Sequence, residues 1–105
     1  MSVDQIFEKL EKNFNADAAQ GLDLVFQFDI EDDNKSHHLV IKDGTCTLHD
    51  GPHADPSVTL IMNAETLEGI VSGETDGMQA FMAGQLRAEG DMMLATKLGE
   101  LFNMG

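Results

Sequence analysis

Between Leu22 and Ile30 the chain places an apolar residue at every second position: Leu22, Leu24, Phe26, Phe28 and Ile30 alternate with Asp23, Val25, Gln27, Asp29 and Glu31. Successive side chains of an extended backbone point to opposite sides, so this stretch predicts a strand with one apolar and one largely polar face. A one-sided strand needs a layer to bury that face. The rest of the sequence must therefore supply both neighbouring strands and a cover.

The flanking patterns supply them. Ser2 with Gln5 is a capping box, and Ile6, Leu10 and Phe14 share one helical face, which predicts a helix over residues 3–15. A short turn at Asp17 to Gln20 ends at Gly21. Beyond the Asp32-Asp33-Asn34 turn, Leu39 and Ile41 carry a second strand, and Asp43-Gly44 is a hairpin signal before Thr45 to His49. Three consecutive strands make an antiparallel meander.

Pro52 and Pro56 break the next stretch into a loop, and Val58, Leu60 and Met62 then mark a fourth strand. Asn63 is placed to cap a helix carrying Leu67, Ile70 and Val71 and closed by Gly73. Asp76 is placed to cap a shorter one with Met78, Phe81 and Met82, closed by Gly84. Gln85 to Glu89 alternates again, and Gly90-Asp91 leads into a last helix with Leu94, Ala95, Leu98, Leu101 and Phe102. Runs of strands separated from runs of helices predict an α+β domain with helices on one sheet face.

Composition narrows the function. Six Lys and Arg stand against nineteen Asp and Glu, a net charge of −13 spread from Asp4 to Glu100. That field repels phosphate backbones and anionic headgroups, so nucleic acid is excluded as an expected partner and direct binding to anionic membrane is expected to be weak or absent. No apolar run approaches the ~20 residues of a membrane span, and no cationic and apolar leader opens the chain, which predicts a cytoplasmic protein. One cysteine, Cys46, cannot form an internal disulfide and fits a reducing compartment.

Catalytic signatures are missing: there is no phosphate loop, nucleophile elbow or HExxH pair. His49 and His53 with Asp50 and Asp55 are ligand types for a cation, but their spacing matches no established set. His37 and His38 face opposite ways on a strand and cannot share one ion without a bulge. Solvated histidines are the plainer expectation for all four, and a small buried hydrophobe is the plainer expectation for Cys46. No catalytic residue, cofactor or metal is expected.

The methionines are more informative. Met78, Met82, Met92, Met93 and Met104 fall within the last 28 residues of the sequence. Methionine is flexible and polarizable and suits surfaces that accept variable apolar ligands, although it also fills irregular core gaps. On a helix Met93 and Met104 lie within ~20° of each other and roughly 120 to 140° from Leu98, giving the last helix two apolar sides. One would face the sheet; the other would face a cavity, a partner chain or water.

The segment from Asp55-Pro56-Ser57 through Val71-Ser72-Gly73 to Leu98 resembles the signature block of the sterol carrier protein 2 family. Met78, Phe81, Gly84, Leu86, Gly90, Asp91, Leu94, Ala95, Lys97 and Leu98 match the family pattern in order. Gln85 and Arg87 depart from a basic pair usual there, and Ala83 stands where a glutamine often precedes the glycine. The resemblance implies one domain over residues 1–105 with a five-stranded, mainly antiparallel sheet. About five helices on one face would enclose an apolar tunnel. It further implies non-catalytic carriage of a fatty acid, acyl-CoA, isoprenoid or sterol-like lipid. Ile70, Met78, Phe81, Met82, Met93, Leu98, Leu101, Phe102 and Met104 are the expected ligand-side residues. A chain ending Asn103-Met104-Gly105 lacks the peroxisomal tripeptide of eukaryotic relatives, which suggests a free-standing bacterial-type member that is a monomer or weak dimer. The competing expectation is an accessory protein-interaction domain in lipid or quinone metabolism that uses the C-terminal apolar groove.

Overall fold

The computed structural model describes residues 3–33, 35–91, 93, 94, 97, 101 and 102. The chain begins with helix α1 (Val3–Lys12). Four strands follow: β1 (Asp23–Ile30), β2 (Lys35–Lys42), β3 (Thr45–Asp50) and β4 (Val58–Met62). Helices α2 (Ala64–Ser72) and α3 (Gly77–Met82) and strand β5 (Arg87–Gly90) complete the order. Met93, Leu94, Lys97 and Leu101 are helical, while Ala95 and Leu98 of the expected last helix lie outside the described residues.

The sheet has five strands in the order β3-β2-β1-β4-β5. β1, β2 and β3 form the expected meander, turned at Asp43 (φ 53°) and Gly44 (φ 73°). Two consecutive positive φ values match the tight hairpin turn whose twist suits antiparallel strands. β4 does not extend the meander. It lies on the other side of β1 and runs parallel to it, Phe28 beside Leu60, so the sheet is mixed with antiparallel pairs in the majority.

Both ends of the parallel pair are pinned. Ser57 donates its backbone N–H to the Val25 carbonyl at 2.9 Å and accepts the Val25 N–H on Oγ at 3.0 Å. At the other end the Glu31 N–H reaches the Met62 carbonyl at 2.9 Å. A parallel pairing cannot be closed by a tight turn, and here the β2–β3 hairpin and the proline loop make the crossover.

Every second residue of the three central strands is buried on one face: Phe26, Phe28 and Ile30; Leu39 and Ile41; Val58, Leu60 and Met62. Ile6, Phe7 and Leu10 of α1 and Leu67, Ile70 and Val71 of α2 join them in one cluster. Phe7 meets Phe28 edge-on with ring centroids 5.3 Å apart, an arrangement favoured by the ring quadrupoles. On the opposite face Gln27 is covered by the proline loop, its Oε1 accepting the His53 N–H at 3.0 Å.

α1 is shorter than its pattern suggests. The apolar period reaches Phe14, yet the helix ends at Lys12 because Phe14 enters an antiparallel bridge with Phe102 and Asn15 donates to the Leu101 carbonyl at 2.6 Å. Long-range backbone pairing here overrides local propensity. β5 also starts two residues later than expected, after a buried Leu86.

Gly90 closes β5 at φ 100°, and a Cβ built there would lie 2.9 Å from the Ser57 carbonyl oxygen. Backbone conformation and close approach both demand glycine. Gly90→Ala should therefore lower the free energy of unfolding by about 2 kcal/mol or more, as read from urea titrations. An unchanged midpoint would show that the β4–β5 edge relaxes without cost.

Candidate functional site

α3 begins where Asp76, in an extended conformation, accepts the Met78 N–H on its side chain at 3.0 Å. It ends after Met82 with Ala83 as its C-cap, and the Gly84 N–H returns to the Phe81 carbonyl at 3.2 Å. Only Ala80 of this six-residue helix is buried, at 1% exposure, and its carbonyl oxygen receives the N–H groups of both Gln85 and Leu86. One small side chain and a knot of backbone bonds thus hold α3 to the fold.

What the helix presents outward is large and apolar. Met78 is 52% exposed, Phe81 39% and Met82 80%. Their spacing of three and four residues puts them on one helical face, so they form a stripe rather than scattered contacts. Met93, further along the chain, is 73% exposed. Grouped exposed side chains of this size mark surfaces that meet an apolar ligand or partner.

The other expected ligand-side residues are placed differently. Ile70 is buried in α2 beside Val71. Leu101 and Phe102 are buried too, with the Phe102 ring 5.6 Å from that of Phe14. Leu98 and Met104 lie outside the described residues. The structure therefore groups Met78, Phe81 and Met82 at the surface and assigns Ile70, Leu101 and Phe102 to the core.

Three of the four histidines gather on the helix-free side of the sheet. His38 stacks on its cross-strand neighbour His49 at 5.0 Å and meets His53 edge-on at 5.1 Å. His38 Nδ1 donates to the Gly51 carbonyl at 2.8 Å, and His53 Nδ1 accepts the Asp55 N–H at 2.9 Å. Asp50 does not join His49 and His53, because neighbours on a strand face opposite ways.

His37 corrects the expectation of a solvated side chain. It is 2% exposed, lies opposite Phe28 in the register, and its ring sits 4.6 Å from that of Phe7. The signal was present: position 37 is in phase with the buried Leu39 and Ile41.

No described helix is long and apolar enough to cross a membrane. A five-stranded mixed sheet covered by helices, with an apolar stripe on a short helix, defines a small α+β domain. The sequence matches the SCP-2 sterol transfer family over residues 3–103, and the chain belongs to that family. It is 27% identical over 104 residues to the hydroxysteroid dehydrogenase-like protein 2 of Bos taurus, covering 97% of this chain but 25% of that protein. The chain thus spans about a quarter of that curated relative.

Among solved structures it superposes with a TM-score of 0.89 on a sec-alkylsulfatase from Pseudomonas sp., at 23% identity, covering 100% of this chain and 17% of that one. It superposes with a TM-score of 0.78 on palmitated SCP2L2 from Aedes aegypti, at 26% identity, covering 98% of this chain and 96% of that one.

Cys46 packs partly buried against the core, and burial, followed by the nearby Glu11 carboxylate, pushes its thiol up to about 12 from the ordinary value of 9.0. Thiolate is the reactive form, so maleimide labelling near pH 8 should be at least about 100-fold slower than in the unfolded chain. The folded state keeps a proton that the unfolded thiol loses, so this group's contribution to stability should fall as pH rises from about 9 toward 12. Cys46→Ala should remove that alkaline slope in denaturation series.

Proposed function

We propose that this chain binds and carries an apolar acyl ligand without performing chemistry on it. The observation that carries this reading is α3, which exposes Met78, Phe81 and Met82 on one face while Ala80 is its one buried side chain. A helix held this lightly can shift to admit a chain between itself and the sheet. In this reading the α3 stripe and Met93 form the entrance. Ile70, Leu101 and Phe102 form the inner wall.

Family membership supports lipid binding, and the palmitated relative supports an acyl chain as its chemical class. Transfer from water is favourable by ~0.8 kcal/mol per methylene, so a 12-carbon tail supplies on the order of 9 kcal/mol before binding costs are subtracted. The −13 net charge opposes unloading onto anionic membrane, so delivery to a protein partner fits the surface better. A relative four times as long supports a partner that is an enzyme.

Native mass spectrometry of protein purified without detergent should show one acyl or isoprenoid mass per chain, and fluorescent fatty acid should titrate to the same stoichiometry. Met82→Glu and Phe81→Asp should weaken that binding about 10-fold or more while leaving the circular dichroism unchanged, because each places a charge in the apolar path. An empty chain that ignores fluorescent fatty acids would overturn the proposal.

A further inference from the structure

Among the buried polar side-chain atoms of the described residues, the two ring nitrogens of His37 alone have no hydrogen-bond partner. Buried polar groups left in this state are destabilising, and a native one calls for a physical reason. One side of the ring meets Phe7, with centroids 4.6 Å apart, and Phe28 is the register partner of His37 on β1. His37 also lines a recess of about 330 Å³ together with Asp4, Ser36, Asp50 and Gly51.

Two carboxylates stand beside the ring. Asp50 Oδ1 lies 3.4 Å from Nδ1, without the alignment of a hydrogen bond. One donor atom each from Asp4, His37 and Asp50 lies within 4.8 Å of the others. Carboxylates drawn together in this way repel unless a positive charge sits between them.

We propose that Asp4, His37 and Asp50 bind a divalent first-row cation of the zinc type. Zinc–nitrogen and zinc–oxygen bonds of about 2.0 to 2.2 Å at the tetrahedral angle place neighbouring donors about 3.4 Å apart. That is the Nδ1 to Oδ1 separation here. One imidazole with two carboxylates favours zinc over calcium or magnesium, which take oxygen donors alone. Three protein donors leave a position for water. On the far side of the ring Asp33 Oδ2 stands 4.0 Å from Nε2, where an outer carboxylate orients a metal-bound histidine. The net charge of −13 raises the local concentration of any cation.

The three donors come from α1, β2 and β3. A bound ion would tie the start of α1 to the outer hairpin of the sheet and hold the ring on which Phe7 rests. This site is separate from the α3 stripe, so its failure leaves the carrier reading untouched.

The test is calorimetric titration of the chelator-treated, dialysed chain with Zn²⁺, alongside the visible spectrum with Co²⁺. One ion per chain and an intense tetrahedral cobalt band are expected, with a thermal midpoint that rises on adding Zn²⁺. Asp4 and Asp50 are exposed, so Asp4→Asn and Asp50→Asn should keep the fold, which melts without metal will check. Each should weaken binding tenfold or more and remove the thermal gain. Replacing His38, His49 and His53 together by alanine should leave the titration unchanged. No stoichiometric uptake, or uptake that follows those three histidines and ignores Asp4 and Asp50, overturns the proposal.

Discussion

Everything in this fold leans on the apolar face of β1. The strand is central, antiparallel to β2 on one side and parallel to β4 on the other, so its backbone groups are paired along both edges. Phe26, Phe28 and Ile30 then set where the neighbouring strands must present Leu39, Ile41, Leu60 and Met62, because a slip of one residue would turn each of those outward. α1 and α2 cover the face so formed. The polar lock at Ser57 fixes the parallel pairing, which local sequence does not encode.

That division explains what could be read in advance. The meander, the Asp43-Gly44 hairpin and the caps at Asn63 and Asp76 follow from residues within four positions of each other, and each appears as expected. The parallel placement of β4 depends on contacts between Val25 and Ser57, far apart in sequence, and period-two patterning has no term for them. The early end of α1 likewise depends on Phe102. His37 is a different case: its phase with Leu39 was legible, but residue type argued for solvent, and the phase prevailed.

The candidate site divides in the same way. Spacing of three and four residues correctly joins Met78, Phe81 and Met82 on one face, since that is a property of the helix itself. Whether such a stripe meets the core is decided by how deeply the helix sits, and here the small Ala80 is the side chain that sits inward. The exposed stripe and the buried residues Ile70, Leu101 and Phe102 are therefore two separate groups, one facing outward and one in the core.

The two outermost strands have a further consequence. β5 offers four residues, two of them the exposed and charged Arg87 and Glu89, and it ends at the kinked backbone of Gly90. β3 carries exposed Thr45, Thr47, His49 and Asp50. A second chain seeking to extend the sheet meets a short, bent ladder at one margin and a polar one at the other, beneath a strongly like-charged surface. Resistance to fibrous self-association is thus written into the margins of the sheet, which leaves its middle free to be as apolar as the core requires.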